Sequence, residues 1–263
     1  MNEKWAVITG ASSGIGAEFA RQLAERGYSQ LLVARRGEIM NELASELMSK
    51  HGILVSVLPA DLSKNDELLK VEKRIQEIET LELLVNNAGY GISGMFYTSE
   101  LGKQLNMIQV HVVASVRLSR AALPGMINRH RGGVINVASL AGLVPTTNVT
   151  YSATKAYLIV FSQALQNELE GSGLKIQALC PGFTYSGFHD TEELKNFRRS
   201  QIPKLLWMKA DAVVSESLRA FDRGKVLCIP GRVNRLTAAL ARNWITGPTV
   251  MRITNRVYKR RRR

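Results

Sequence analysis

Thr9-Gly10-Ala11-Ser12-Ser13-Gly14-Ile15-Gly16 sits between a short apolar run, Trp5–Thr9, and a stretch of helical spacing, Ala17–Arg26, that stops at Gly27. Small residues at that junction let the backbone turn tightly and come close to a pyrophosphate. Free amides at the helix start, with the helix dipole behind them, attract the phosphate charge. A glycine-rich stretch alone is weak evidence, but its place between a first strand and a first helix makes a plain loop a poor explanation.

The same alternation runs outward from this turn. Leu31–Ala34, Leu54–Leu58, Leu81–Asn86, Gly133–Ala138, Lys175–Leu179 and Val226–Ile229 read as buried strands. Glu38–Lys50, Asp66–Ile78, Ser99–Arg129 and Ser152–Glu170 read as helices, the long third one open to a break at Pro124-Gly125. Apolar strands separated by helices predict an α/β fold: a Rossmann-type doubly wound parallel sheet with helices on both faces, in one domain. A length of 263 residues, 45% of them apolar, suits one such domain. The dinucleotide-binding and catalytic domain is expected over 1–231, and a basic amphipathic extension over 232–263.

Charge is unevenly placed. Of 35 Lys and Arg, twelve lie from Arg223 onward, where no Asp or Glu occurs. The 23 before that point balance 22 acidic residues, so the net +13 describes a tail and not a body. Cys180 and Cys228 match no zinc or redox spacing, which predicts two reduced, buried thiols and no metal site. No basic stretch leads into a long apolar segment, so neither a signal peptide nor a membrane span is expected. Those features together predict a cytoplasmic protein.

Cofactor choice is read at the end of the second strand. An acidic side chain there would hold the adenosine ribose of NAD, but this chain has Arg35-Arg36. A guanidinium suits a 2′-phosphate. NADP(H) is therefore preferred, with NAD(H) the lesser option; two solvent-facing arginines are the alternative. Further on, Tyr151 and Lys155 stand four apart, on one face of a helix. An ammonium beside a phenol favours its ionised form, so Lys155 tunes Tyr151 as an acid–base group.

TGASSGIG, the Asn86-Asn87-Ala88-Gly89 strand end, Ser139 after the fifth strand and Tyr151-Ser152-Ala153-Thr154-Lys155 occur together and in order. The chain therefore resembles the short-chain dehydrogenases/reductases of about 250 residues, from Lys4 to about Gly231. The resemblance implies hydride transfer between a nicotinamide and a carbonyl or alcohol, with Ser139, Tyr151 and Lys155 catalytic. Ser139 would hold the substrate oxygen, Tyr151 would supply its proton, and Lys155 would also grip the nicotinamide ribose. In the turn, Gly10, Ser13, Gly14, Ile15 and Gly16 would cradle the pyrophosphate, and Ser12 would assist Arg35 at the 2′-phosphate. Asp61 and Leu62 would border the adenine, and Asn87, Ala88 and Gly89 would line the channel. The segment from Pro181 and Gly182 to Ser186 would hold the carboxamide, with Thr184 and Ser186 as the candidate contacts. The resemblance also implies a homodimer through the long helices, with a tetramer as the larger option.

One departure matters. His111 stands thirteen residues before Pro124, where the family usually has an asparagine that holds a relay water. Imidazole donates and accepts one bond each, so His111 is a candidate catalytic residue in a modified relay. The other readings are a tolerated substitution and a cofactor-binding scaffold that has lost turnover.

Substrate selection is expected from loops that carry Tyr90, Met95, Phe96, Leu143, Val144, Phe188, Leu205, Leu206 and Trp207. Their apolar character points to an apolar ketone, aldehyde or acyl-chain substrate. In the extension, Val233, Leu236, Leu240 and Trp244 share one helical face and Arg232, Arg235 and Arg242 another. A second stripe follows from Val250, Ile253 and Val257. These read as elements for an anionic membrane surface, or as a cover packed on the body; nucleic acid is a weaker partner, since no binding module accompanies the arginines.

Overall fold

The computed structural model describes residues 3–189, 194, 199–244, 246–249 and 252. The chain runs β1 (Trp5–Thr9), α1 (Gly14–Glu25), β2 (Ser29–Ala34), α2 (Gly37–His51), β3 (Val55–Pro59), α3 (Asn65–Gln76) and β4 (Leu81–Asn86). Next come α4 (Leu101–Ile108), a π-helical turn (Gln109–Val113), α5 (Ala114–Asn128), β5 (Gly133–Val137), α6 (Val149–Glu168) and β6 (Lys175–Leu179). The last part holds β7 (Phe183–Tyr185), β8 (Trp207–Lys209), α7 (Ala210–Asp222), β9 (Leu227–Cys228) and α8 (Arg232–Arg242).

Seven parallel strands form one sheet in the order β3-β2-β1-β4-β5-β6-β9, the expected doubly wound fold. Side chains alternate across it. Ala6 and Ile8 of β1 pack with Phe19, Leu23, Met40, Leu47, Val213 and Leu218 of α1, α2 and α7. Val7 goes to the opposite layer, with Leu68, Val71, Leu118, Met126 and Leu165 of α3, α5 and α6. Burial on both faces is why these strands read as near-continuous apolar runs. The chain reverses its winding between β1 and β4, and at such a switch point the carboxyl ends of the strands leave a crevice.

One expectation changes, and one element is new. Pro124 lies inside α5 without ending it, and the irregularity in the long helix is instead the π turn at Gln109–Val113. Sequence reading also places nothing over Ala210–Asp222, where α7 buries Val213, Val214 and Leu218. A small two-stranded parallel sheet, β7 with β8, closes over the crevice side of α7.

Candidate active site

Thr9 ties the end of β1 to the end of β4. Its hydroxyl accepts the N–H groups of Asn87 and Ala88, both at 3.0 Å, and Asn87 Nδ2 donates back to the carbonyls of Thr9 at 2.9 Å and Gly10 at 3.2 Å. A Cβ on Gly10, which holds φ +67°, would lie 2.8 Å from Asn87 Nδ2. A Cβ on Gly14 would lie 2.8 Å from Ser186 Cβ, so the turn also closes on the segment after β6. Glycine is required at both places.

Ser13 is the N-cap of α1, yet its hydroxyl makes no cap bond. It accepts Arg36 Nη2 at 2.9 Å, and Ser12 Oγ accepts the same nitrogen at 2.9 Å. The amides of the first turn are thus left for an anion, with a guanidinium above them. Arg35 stands exposed beside it at the cleft edge. Burial pushes the Asp61 carboxyl up, but hydrogen bonds from Ser63 and the Arg35 charge outweigh it and hold it below its ordinary value. A cradle that a Cβ would fill, an uncapped helix start and two arginines fit a dinucleotide with an extra phosphate.

These parts border one cleft of about 1080 Å³. Gly10, Ser12, Ser13, Gly14 and Ile15 line it from the turn, with Arg35, Asp61 and Leu62 at the same end. Asn87, Ala88 and Gly89 line it too, as do Pro181, Gly182, Thr184 and Ser186. Ser139, Tyr151 and Lys155 open onto it as well. Gly16 packs behind the turn against the Gly10 carbonyl, and His111 lies behind Lys155; neither is part of the lining.

Ser139 Oγ accepts the Ala141 N–H at 3.1 Å, which leaves its own proton to be donated. The Lys155 ammonium is buried, donates to the Val137 carbonyl at 2.7 Å and lies 5.7 Å from the Tyr151 ring centroid. Burial pulls its pKa down to about 8. His111 is fully buried in the π turn. Its Nε2 faces the Tyr90 N–H at 3.1 Å, and its Nδ1 lies 2.9 Å from Thr154 Oγ1. Because the Thr154 hydroxyl donates to the Tyr151 carbonyl, Nδ1 is the donor and Nε2 the acceptor. Burial, and then the Lys155 charge, push the His111 pKa well below its ordinary value, so the ring is neutral.

Of the residues expected to select substrate, Tyr90, Val144, Phe188 and Leu206 line the cleft. Leu143 packs with Ala138 and Leu158 instead, and Trp207 is buried between Phe183 and Tyr185. Met95, Phe96 and Leu205 are exposed away from the lining. Sequence reasoning missed Asn234 and Thr237 of α8, which line the cleft. Asn234 sits against the Pro181-Gly182 turn, where a Cβ on Gly182 would lie 2.6 Å from its Oδ1. Helix α8 turns Asn234 and Ala238 inward and leaves Leu236 and Leu240 exposed, with Trp244 just beyond it. Val250, Ile253 and Val257, the second stripe, lie outside the described residues.

A model of the short chain dehydrogenase family matches residues 4–196. The very-long-chain 3-oxoacyl-CoA reductase of Anas platyrhynchos is 33% identical over 183 residues, 67% of this chain and 58% of that protein. The chain thus spans under two thirds of the length of that curated relative. A short-chain dehydrogenase from Sphingobium yanoikuyae in complex with NADPH is 33% identical, with TM-score 0.83, covering 90% of this chain and 92% of that one. The bulky-bulky ketone specific alcohol dehydrogenase of Comamonas testosteroni is 32% identical, with TM-score 0.78, covering 91% and 92%.

Proposed function

The chain belongs to the short-chain dehydrogenase/reductase family of NAD(P)-dependent oxidoreductases, and from that premise we propose that it reduces an apolar ketone, aldehyde or acyl-chain carbonyl with NADPH. The observation that carries this reading is the common cleft: Ser139, Tyr151 and Lys155 share it with the glycine turn, Arg35 and an apolar wall of Tyr90, Val144, Phe188 and Leu206. Relatives named for a 3-oxoacyl-CoA and a bulky ketone support a large apolar substrate.

In the cleft, NADPH held by the glycine turn and Arg35 would supply the hydride. Tyr151 gives its phenolic proton to the substrate oxygen, and Ser139, its oxygen already taken by the Ala141 N–H, donates its proton to the same atom. Lys155, fixed on Val137, sets positive charge beside the phenol as that proton leaves. His111 is a positioning residue: neutral, it joins the Tyr90 backbone to Thr154 on α6 and so holds the floor behind Lys155.

We further infer a homodimer through α4, α5 and α6; Leu101 and Leu105 of α4 and Tyr157 and Val160 of α6 are exposed. We also take the surface of α8 to rest on anionic membranes, since its leucines face outward beside Arg232, Arg235 and Arg242. No helix among the described residues is long and apolar enough to cross a bilayer.

The test is NADPH oxidation against bulky aryl ketones, steroid ketones and long-chain 3-oxoacyl thioesters. Turnover with at least one class is expected. No consumption with any, by protein shown to bind NADPH, would overturn the reading.

A further inference from the structure

A second depression, of about 340 Å³, lies between α7, β9 and α8 and takes no part in the reaction described above. Arg219, Arg223, Lys225 and Arg235 line it, with Cys228 and Ile229 beneath. Glu216 is the single carboxylate on the lining. It is already committed: Oε2 holds Arg235 Nη1 at 3.0 Å and accepts the Gly231 N–H at 3.3 Å. Arg219 donates to a neutral partner, Ser215 Oγ, at 2.8 Å. Among the described residues, no carboxylate pairs with Arg219, Arg223 or Lys225. Burial, and then the Glu216 charge, push the Cys228 thiol up to about 11, while Arg235, Lys225 and Arg223 pull it the other way.

The surroundings narrow the occupant. Arg235 belongs both to this depression and to α8, whose next residue, Leu236, is 60% exposed; Leu240 and Trp244 are exposed beyond it. A second copy docked on this face by a twofold contact would bring two clusters of like charge together. A nucleic acid would meet the cations but give Leu236 and Leu240 no apolar layer to bury against. Phosphate beside an apolar layer is the chemistry of a phospholipid surface.

We propose that this depression is a headgroup site for an anionic phospholipid, with Arg219, Arg223, Lys225 and Arg235 around the phosphate and Leu236, Leu240 and Trp244 in the adjoining apolar layer. The site rests on the membrane-surface reading of α8 and gives that surface a defined ligand. Because α8 also lines the catalytic cleft with Asn234 and Thr237, lipid contact and substrate entry share one helix.

The experiment is co-sedimentation of the full chain with vesicles of phosphatidylcholine alone and of phosphatidylcholine with phosphatidic acid. Three proteins are compared at moderate salt: wild type, Arg219→Gln/Arg223→Gln/Lys225→Gln, and the control Lys50→Gln/Lys70→Gln/Lys73→Gln, which removes the same charge from α2 and α3. The first variant is expected to bind anionic vesicles roughly 100-fold more weakly, the control less than about threefold. NADPH binding, read in parallel, shows that the variants are folded. Equal losses in both variants, with wild type bound, would sink the site alone. Wild type that ignores anionic vesicles would remove the membrane reading and the site together, while leaving the reductase reading intact. Calorimetry with glycerol 3-phosphate separates the sources: tight binding lost in the first variant, with vesicle binding unchanged, would assign the site to a soluble phosphate and overturn the lipid.

Discussion

His111 Nδ1 stands 2.9 Å from the Thr154 hydroxyl, and that hydroxyl's proton is spent on the Tyr151 carbonyl. The imidazole must therefore donate there and accept the Tyr90 N–H through Nε2. His111→Ala strands both partners in a buried place and is expected to lower stability by about 1–3 kcal/mol. His111→Asn can donate and accept in turn, and should keep activity within about tenfold. Since burial keeps the ring neutral, the pH profile of His111→Asn between 5 and 8 should match wild type. An inflection present in wild type and lost in the variant would show that His111 titrates in catalysis.

Lys155 supplies a pH effect of its own. Its folded pKa, about 8, lies below the ordinary 10.5. Between those values the unfolded chain holds a proton that the folded chain has released, so this group makes stability rise with pH across that window. Below about 8 both states are protonated and the burial penalty is fully present. Denaturant midpoints of wild type should therefore gain on those of Lys155→Met between pH 8 and 10.5. Parallel curves would mean that Lys155 keeps its proton.

Arg36 holds Ser12 and Ser13 over the uncapped start of α1, and Arg35 stands beside it. Arg36→Ala is expected to weaken NADPH roughly 10–100-fold while moving NADH far less, because a charge-assisted phosphate contact is worth about 1.5–3 kcal/mol. Arg35→Asp should reverse the preference. Equal wild-type affinities for the two cofactors, by fluorescence titration, would show that both arginines serve another purpose.

Strands β1, β4 and β6 are legible to the residue, because burial on both faces leaves them mostly apolar, with Glu82, Lys175 and Gln177 as interruptions. The glycine turn, Arg35, Ser139, Tyr151 and Lys155 are legible as motifs, and the fold carries them to one cleft. Helix α7 shows helical spacing at Val213, Val214 and Leu218 and was open to the same reading. Helix α8 is legible from the spacing of Val233, Leu236 and Leu240, but its inward face is not: the space over Gly182 and Met208 takes the Asn234 amide, and the leucines face out. Arg36 reaching back to Ser12 and Ser13, 24 and 23 residues earlier, is likewise a tertiary contact with no local signature.

The exposed faces of α4 and α6 make the proposed dimer testable. Leu105→Asp with Val160→Asp places charge on residues 54% and 64% exposed, where neither disturbs the core. Scattering at micromolar protein should give a dimer for wild type and a monomer for the double variant. A monomeric wild type would contradict the assembly.

The central claim is proton transfer by Tyr151 in NADPH-dependent carbonyl reduction, and single-turnover NADPH oxidation by wild type against Tyr151→Phe tests it most directly. The substitution keeps the ring that packs against His111 and Phe188 and removes only the hydroxyl. NADPH affinity should be nearly unchanged and the chemical step slower by about 10²–10⁴-fold. A variant as fast as wild type would contradict the account and leave Tyr151 outside the chemistry.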